Sequence, residues 1–367
     1  MSRMRAALLR TPGETPQIAD VELGALEPDE IRVRVHSSGV CHTDLSGIDG
    51  VVPLPYPSVL GHEGAGTVIE VGELVDDVTV GDRVAVSFAS CGQCESCRGG
   101  HPAYCEVFAA LNYFGTRLDV STTIREVDEE VYGNFFGQSS FATELITAAR
   151  NAVVLPPDFP LELAGPLGCG LLTGVGTVRN VLRLSASDSV VVFGIGTVGL
   201  AAVMAATIAG CRTIIAVDLS ADRLDLAREL GATHVVDASS SDDVVWDVMA
   251  VEPAGVDAAI DAVGLEVVVQ QGLECLAVRG TLATVGLQGL ENPVTVNQGH
   301  ILLGRTITGV IEGDAEPREL IPVMIDWWRQ GRLPLERLIE VFPFEALDEA
   351  LAATRSGRVI KPVVETS

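Results

Sequence analysis

Four cysteines and a histidine lie close together in this 367-residue chain, at spacings that suit a metal ion. The run CGQCESCRGGHPAYC contains Cys91, Cys94, Cys97 and Cys105, with His101 before the last cysteine. Four thiolates at short spacing form a closed tetrahedral zinc site, which stabilises a loop and leaves no position for a substrate. Three alternatives stay open at this point: His101 replacing one cysteine, an iron–sulfur cluster, and disulfides.

A second set of possible ligands is scattered along the chain. It comprises Cys41 and Asp44 in CHTD, His62 and Glu63 in GHEG, and Cys169 in GCG. A lone cysteine is usually a packing residue. Together, however, these side chains offer two thiolates, an imidazole and a carboxylate, which are the ligand types of a catalytic zinc with one open position.

A glycine-rich turn predicts a dinucleotide site. Gly194, Gly196 and Gly199, in GIGTVG, follow an apolar strand and open a helix, which is the context that this motif requires. Asp218 ends the next strand, where a carboxylate would bind the adenosine ribose hydroxyls and repel a 2′-phosphate. NAD is therefore favoured over NADP. The alternatives are a purely structural turn and, for Asp218, a helix cap.

The elements around these motifs indicate an α/β protein. Up to about residue 155, apolar and polar residues alternate as in β-strands, at Ile31–His36, Gly66–Gly72 and Asp82–Ser87. Strands then alternate with helices, which predicts a doubly wound parallel sheet. The predicted strands are Val190–Phe193, Thr213–Val217, His234–Val236, Ala258–Ile260, Thr281–Val285 and Thr306–Val310; the predicted helices are Thr197–Gly210 and Ala221–Leu230. Helices Arg318–Arg329 and Ala346–Arg355 and a strand Arg358–Val363 follow.

Charge and composition exclude some partners. The formal net charge of −26 argues against nucleic acid and anionic membranes. The N-terminal residues show no signal core, so we expect a cytoplasmic protein. Residues 189–211 are apolar enough to span a bilayer, but the glycine motif within them favours a buried strand, turn and helix. Cys211 and Cys275 are interpreted as packing residues.

These motifs, in this order, resemble the zinc-dependent medium-chain alcohol dehydrogenases over essentially the whole chain. The segments that carry the resemblance are GHEGAGTVIEVG, the four-cysteine loop, GCG and GIGTVG. The resemblance implies a GroES-like, mostly β catalytic domain at residues 1–170, a Rossmann NAD-binding domain at 171–311, and a return to the catalytic domain at 312–367.

The resemblance also implies two zinc ions per subunit. Cys41, His62 and Cys169 would hold the catalytic zinc, with Glu63 as an alternating ligand and Asp44 orienting His62. The structural zinc would be held by Cys91, Cys94, Cys97 and Cys105.

The implied reaction is hydride transfer from a zinc-activated alcohol to NAD. The proton would leave through the hydroxyl of Thr43. Relatives carry a histidine further along this relay, but here Ser46 stands in its place, and serine is not a general base near neutral pH. The end of the relay is therefore open.

Further coenzyme contacts are implied by the resemblance. His42 and Lys361 would bind the pyrophosphate, and Arg223 would lie near the adenosine ribose. An ordinary loop histidine and plain surface charge are the alternatives. The remaining implied coenzyme residues are Thr173, Thr197, Val198 and Leu287.

Substrate and assembly are implied by the branch of the family. CHTDL, NFFGQSSFA and HILLGRTITGVIEGDA look like the aryl-alcohol and geraniol dehydrogenases, so we expect primary benzylic or allylic alcohols. The implied pocket comprises Val52, Ser87 or Phe88, Leu111, Leu287 and, from a neighbouring subunit, Leu302. The long loop from Cys105 to Phe136 favours a homodimer over a tetramer, paired through edge strands near Thr306–Val310.

Other classes of protein remain as alternatives. One is an aliphatic-alcohol or polyol dehydrogenase of the same family. A zinc-free quinone or enoyl reductase would lack the Cys41, His62 and Cys169 set. A non-catalytic zinc-ribbon protein would explain the four-cysteine run, but it predicts a basic surface and leaves the glycine turn unused.

Overall fold

The computed structural model describes residues 2–127, 129–289 and 291–366. Contacts divide the chain into two compact units, one formed by Met1–Cys169 with Glu316–Ser367 and the other by Gly170–Ala315. We call them the outer-segment unit and the central unit. The central unit thus ends at Ala315, against residue 311 in the prediction.

The outer-segment unit contains twelve of the described strands and the central unit contains six. In chain order they are β1 Ser2–Leu9, β2 Gln17–Leu23, β3 Glu30–Gly39, β4 Ser58–Val59, β5 Gly64–Val71, β6 Arg83–Val86, β7 Ile124–Glu126, β8 Glu129–Val131, β9 Glu144–Ala148, β10 Ala152–Val154, β11 Ser189–Phe193, β12 Thr213–Asp218, β13 His234–Asp237, β14 Val256–Asp261, β15 Leu276–Thr284, β16 Thr306–Gly309, β17 Ile339–Pro343 and β18 Lys361–Glu365.

The helices are α1 His42–Ile48, α2 Glu95–Arg98, α3 Phe108–Tyr113, α4 Gly170–Gly176, α5 Thr197–Ala209, α6 Ala221–Glu229, α7 Val244–Val251, α8 Glu266–Glu274, α9 Gln298–Leu302, α10 Pro317–Arg329 and α11 Leu347–Ser356. None of the helices that the structure describes is long and apolar enough to cross a membrane.

The outer-segment unit is built on two sheets. One has the order β4-β1-β2-β7-β8; the other runs β10-β6-β5-β3-β18-β17, with β9 also paired to β3. Strand β3 is long because its branched residues alternate, and Ile31, Val33 and Val35 point into a core shared with β5, β6 and β9. The C-terminal strand β18 pairs antiparallel with β3, so residues more than 300 positions apart become neighbours.

The central unit contains one six-stranded parallel sheet with the order β13-β12-β11-β14-β15-β16. Numbered from its first strand, this is the order 3-2-1-4-5-6 of the Rossmann fold, which confirms the predicted doubly wound sheet. Strand β11 is buried along its whole length. The apolar run at residues 189–211 forms β11, a glycine turn and α5, as the sequence indicates.

Some element predictions needed correction. The last strand begins at Lys361 rather than Arg358, because Gly357 takes a left-handed conformation (φ 69°) that ends α11 and turns the chain. Helices α7 and α8 were not predicted, since their valine runs have low helix propensity. Helix α7 forms because the Asp243 side chain accepts a hydrogen bond from the Trp246 N–H and because Val244 and Val248 are buried.

Candidate active site and metal centres

The four cysteines of the first motif converge. The sulfurs of Cys91, Cys94, Cys97 and Cys105 all lie within 4.8 Å of one another. Backbone N–H groups turn toward them, for example from Cys94 to the Cys91 sulfur (3.3 Å) and from Cys91 to the Cys105 sulfur (3.3 Å). His101 is exposed and is not part of this group. All eight cysteines are free thiols, so the disulfide alternative is not seen.

The chemistry of this cluster fits a metal ion. Backbone N–H groups of Glu106 and Cys97 lower the pKa of the Cys94 thiol to about 6. Burial and the neighbouring Cys94 raise the pKa of Cys97 to about 12, since several negative sulfurs cannot lie together without a cation. A tetrahedral set of four thiolates is a closed zinc site, and it offers no position for a substrate.

The scattered ligands also converge, and this second group is largely buried. The ligand atoms of Cys41, His62, Glu63 and Cys169 lie within 4.8 Å of one another. Cys41 precedes helix α1, His62 and Glu63 precede strand β5, and Cys169 ends a 3₁₀ turn. The Cys169 thiol, by hydrogen bonding, lowers the pKa of Cys41 well below its ordinary value, and a thiolate is the form that binds metal.

Asp44 joins two of these segments. One carboxylate oxygen accepts a hydrogen bond from the Cys41 N–H (2.9 Å), and the other lies 2.9 Å from Nδ1 of His62 and accepts from the Gly61 N–H (3.1 Å). A carboxylate cannot donate, so Nδ1 carries the proton and Nε2 presents its lone pair. Nε2 is buried and has no hydrogen-bond partner among the described residues. An orphaned nitrogen beside two thiols is what a zinc ion would satisfy, and the residues fit the group.

Glu63 is held by a buried ion pair. Nζ of Lys361 lies 2.8 and 2.9 Å from its two carboxylate oxygens and 3.0 Å from the Val40 carbonyl oxygen. Both side chains are at most 2% exposed. Burial lowers the pKa of Lys361 but the Glu63 carboxylate outweighs it, so the net shift is upward and the ammonium stays charged. The predicted role of Lys361 at the coenzyme phosphates stays a prediction; in this structure its three ammonium donors have partners inside the outer-segment unit.

Aromatic rings surround His62, and the sequence analysis did not identify them as site residues. Phe136 stacks on the imidazole with ring centres 4.5 Å apart, and Phe135 meets it edge-on at 5.6 Å. Tyr113 and Phe108 pack edge-on against Phe136. The run of aromatic residues in NFFGQSSFA is the sequence signal that could have identified Phe135 and Phe136.

The other predicted residues of the outer-segment unit take varied positions. The Thr43 hydroxyl lies 3.8 Å from the Cys41 sulfur, and His42 is exposed at the start of α1. The Ser46 hydroxyl donates to the His42 carbonyl (3.1 Å) and is buried. Of the predicted pocket residues, Val52, Ser87 and Phe88 are buried and Leu111 is half-buried.

The glycine turn has the geometry that dinucleotide binding requires. Gly194 has a positive φ of 85°, and a Cβ on Gly199 would lie 2.0 Å from the Gly194 carbonyl oxygen. A Cβ on Gly196, by contrast, would meet nothing within 4 Å. Gly196 precedes α5 and makes no side-chain cap, and the N-terminal end of a helix favours a phosphate. The cradle fits a pyrophosphate.

Asp218 supports this turn directly. Its carboxylate accepts hydrogen bonds from the N–H groups of Ile195 (2.6 Å) and Ser220 (2.9 Å), and the Arg223 guanidinium lies 4.0 Å away. The remaining predicted coenzyme and pocket residues of this unit have unequal exposure: Thr173 is buried, Thr197 and Val198 are half-buried, and Leu287 and Leu302 are exposed. Cys211 and Cys275 are buried, and burial raises their thiol pKa values to about 11 and about 12.

Comparisons with known proteins agree with both units. Residues 27–157 match the alcohol dehydrogenase GroES-like domain, and residues 197–328 match the zinc-binding dehydrogenase family. Geraniol dehydrogenase from Castellaniella defragrans is 40% identical over 362 residues, which are 98% of this chain and 97% of that protein.

Solved structures extend this likeness. An alcohol dehydrogenase zinc-binding domain protein from Burkholderia ambifaria superposes with a TM-score of 0.97 at 43% identity, covering 100% of this chain and 99% of that one. Benzyl alcohol dehydrogenase from Acinetobacter calcoaceticus superposes with a TM-score of 0.96 at 35% identity, covering 100% of both chains.

The fold and these similarities define a zinc-binding dehydrogenase with a GroES-like and a Rossmann part. This chain belongs to the zinc-dependent medium-chain alcohol dehydrogenases, in the branch of geraniol and benzyl alcohol dehydrogenases.

Proposed function

We propose that this alcohol dehydrogenase uses zinc and NAD to oxidise primary benzylic or allylic alcohols to aldehydes, reversibly, as aryl-alcohol dehydrogenases do. The observation that carries the proposal is the convergence of Cys41, His62 and Cys169 around the partnerless Nε2 of His62. Zinc, when bound there, supplies a Lewis acid that lowers the pKa of the substrate hydroxyl, and NAD supplies the hydride acceptor.

Individual side chains of the protein have separate roles in the proposed reaction. Asp44 holds the tautomer and orientation of His62. Lys361 fixes the carboxylate of Glu63 beside the ligands. Thr43 takes the proton from the substrate hydroxyl at its Oγ. Ser46 is already committed to the His42 carbonyl, so the proton leaves Thr43 by a route that does not end at residue 46.

Two features support the choice of coenzyme and substrate. The Asp218 carboxylate would repel the 2′-phosphate of NADP, which favours NAD. Phe135 and Phe136 pack on the His62 ring, and Phe108 and Tyr113 pack on Phe136. The flat unsaturated group of a benzylic or allylic alcohol would pack well against such an aromatic cluster. The geraniol and benzyl alcohol dehydrogenases similar to this chain are named for substrates of this kind.

We further propose a homodimer that works in the cytoplasm. Strand β16 is an edge of the six-stranded sheet, with exposed Leu302 and Leu303 in the residues before it, so a second copy could extend the sheet. Eight free thiols suit a reducing compartment. Sedimentation equilibrium tests the dimer: a mass of about twice 38.5 kDa supports it, and a monomer or tetramer contradicts it.

A coenzyme-reduction screen tests the activity. NADH absorbance is followed with benzyl alcohol, cinnamyl alcohol, geraniol, ethanol and sorbitol, each with NAD and with NADP. We expect kcat/KM to be highest for the unsaturated primary alcohols with NAD. A preference for ethanol or sorbitol would instead indicate the aliphatic or polyol branch.

Metal analysis separates the classes of protein. Two zinc ions per chain are expected for the dehydrogenase. A single zinc would fit a zinc ribbon, and none would fit a zinc-free reductase.

A further inference from the structure

The side chain of Gln138 makes three buried hydrogen bonds beside the catalytic ligands. Its amide oxygen accepts from the Gly64 N–H (2.9 Å), and its amide nitrogen donates to the carbonyl oxygens of His62 (2.9 Å) and Ser87 (3.3 Å). The side chain is buried, and both N–H donors of the amide are used. The roles already described for the catalytic residues do not use this amide.

The three contacts join separate parts of the centre. The His62 carbonyl and the Gly64 N–H flank Glu63, so one amide holds both sides of that residue. The Ser87 hydroxyl in turn donates to the carbonyl of Gly168 (2.6 Å), the residue before Cys169. Buried hydrogen bonds, joined through the backbone of Ser87, therefore connect His62 through Gln138 to Gly168, the neighbour of Cys169. Asp44 provides the corresponding link between His62 and Cys41.

The local sequence is shaped to admit this amide. A Cβ on Gly64 would lie 2.9 Å from the amide oxygen of Gln138 and 2.7 Å from Cβ of Ser140, so only glycine leaves room there. The sequence GHEG thus provides the space that the Gln138 amide occupies as well as two possible metal ligands.

The backbone around Gln138 is held in a strained shape. Phe136 and Ser139 have positive φ angles of 50° and 53°, which non-glycine residues adopt rarely. The Ser139 hydroxyl donates to the Val59 carbonyl (2.6 Å) and accepts from the Phe135 N–H (2.9 Å), and the Ser140 N–H donates to the Gly61 carbonyl (2.8 Å). Such strain persists where surrounding contacts determine it, as at binding sites.

We propose that Gln138 is a positioning residue that holds the His62–Gly64 and Ser87–Cys169 segments in register, so that the catalytic ligands converge before a metal binds. The inference rests on the proposed catalytic zinc site. Preorganised ligand segments hold a metal more tightly and with a more uniform geometry than loosely held ones.

Substitution of Gln138 should speed the release of zinc from the catalytic centre and leave the release from the four-cysteine centre unchanged. Gln138→Glu keeps the size of the side chain but replaces the amide nitrogen, which carries both donors, by an oxygen that faces two carbonyl oxygens. Because loss of such supporting contacts costs roughly 10- to 100-fold in metal affinity, we expect a comparable rise in the rate of zinc release from the catalytic centre. The four-cysteine centre should keep its wild-type rate.

A second variant and a control variant test whether loss of the Gln138 hydrogen bonds causes the effect. Gln138→Met removes the polar atoms without adding charge, and we expect the same effect from it. Gln17→Glu makes the same chemical change at an exposed side chain and should match the wild type.

Zinc release is measured by adding a chromogenic chelator to the zinc-loaded protein and following one release phase for each metal centre. The geometry of the catalytic centre is followed in the visible spectrum of protein that carries Co²⁺ there. Selective acceleration of one release phase, with a shifted cobalt spectrum, supports the proposal. Wild-type release and spectrum in both Gln138 variants would overturn it. Equal acceleration of both phases, or failure of both variants to fold while Gln17→Glu folds, would show a general structural role and also overturn it. A wild-type chain with one zinc refutes the proposed function instead.

Discussion

At the scale of single residues, the ion pair of Lys361 and Glu63 combines two charges that water does not reach. Burying a charge is costly unless it is paired and hydrogen-bonded. Here the ammonium has three acceptors, and Gly39 leaves space for the carboxylate, because a Cβ there would lie 2.0 Å from a Glu63 oxygen. The only lysine of the chain is therefore part of the support of the metal centre.

Breaking this pair should destabilise the protein. We expect Lys361→Met to lower the free energy of unfolding by about 3–5 kcal/mol, since the buried Glu63 carboxylate loses the ammonium that compensates its charge. Urea unfolding measures the loss, and adding Glu63→Gln should recover part of it. Arg355→Met is the control, because its partner Asp49 is exposed and such pairs contribute up to about 1 kcal/mol. Full stability together with weakened NADH binding would contradict the supporting role of the ion pair and favour the predicted phosphate role of Lys361.

Coenzyme choice should depend on Asp218. Asp218→Asn removes the charge that repels a 2′-phosphate and keeps one acceptor oxygen, so one of the two backbone N–H groups of Ile195 and Ser220, which donate to separate oxygens of Asp218, retains its partner. We expect the ratio of kcat/KM for NAD over NADP to fall by at least tenfold, or about 1.4 kcal/mol.

The matched control for this substitution is Asp237→Asn. Asp237 occupies the paired position at the end of the neighbouring strand, so the same charge is lost from the same sheet edge. An equal fall in the ratio for both variants would mean that general charge, and not Asp218, selects the coenzyme.

At the scale of elements, the turn between β11 and α5 contains two glycines that are needed for different reasons, one for the fold and one for coenzyme binding. The Gly199 position is closed by the Gly194 carbonyl, whereas the Gly196 position opens into free space. Gly199→Ala should therefore distort the turn and lower the melting temperature. Gly196→Ala should leave the melting temperature within about 1 °C of the wild type and weaken NADH binding roughly tenfold or more, because its methyl group would enter the space of the phosphates.

Calorimetry and NADH fluorescence titration together check this pair. Unchanged NADH binding in Gly196→Ala would contradict the placement of the pyrophosphate at this turn.

Substitution of a cysteine should have different effects at the two predicted zinc sites. We expect Cys97→Ser to lose one zinc and to lower the melting temperature, since a closed four-thiolate site stabilises its loop. Cys41→Ser should abolish turnover in a protein that still folds, keeps the four-cysteine zinc and binds NADH. Zinc analysis, calorimetry and assay of both variants check this. Full activity in Cys41→Ser would exclude that residue from catalysis.

Elements and ligands were predictable from sequence to different degrees. Strand and helix periodicity predicted the Rossmann part because that signal is local, and residue types together with the family resemblance predicted Cys41, His62 and Cys169 as metal ligands. The partner of Lys361 was not predictable, since Glu63 lies 298 positions away and the ion pair depends on the antiparallel pairing of β3 with β18. Gln138 has no spacing signature either, because its partners come from two segments far from it in the chain, His62–Gly64 and Ser87.

At the scale of the whole molecule, we expect repulsion among the excess acidic residues to lower the stability of the folded state. The chain carries 50 acidic and 24 basic residues, and its only lysine is buried, so arginine supplies the exposed side-chain positive charge apart from protonated histidine. A large net charge destabilises the compact state through self-repulsion. Salt screens exposed charges over about 10 Å at 0.1 M and about 3 Å at 1 M. The buried pair of Lys361 and Glu63 is screened much less.

We therefore expect added sodium chloride to stabilise this enzyme. Between 0.01 and 0.5 M salt, screening should raise the melting temperature of the zinc-loaded protein, and a gain of about 1 kcal/mol corresponds to about 2–4 °C. Protein concentration is held constant, because association makes the melting temperature concentration-dependent. Sodium sulfate at equal ionic strength is the control, since sulfate also acts by exclusion from the protein surface. A rise in sulfate alone, with none in chloride, would show that self-repulsion does not limit stability.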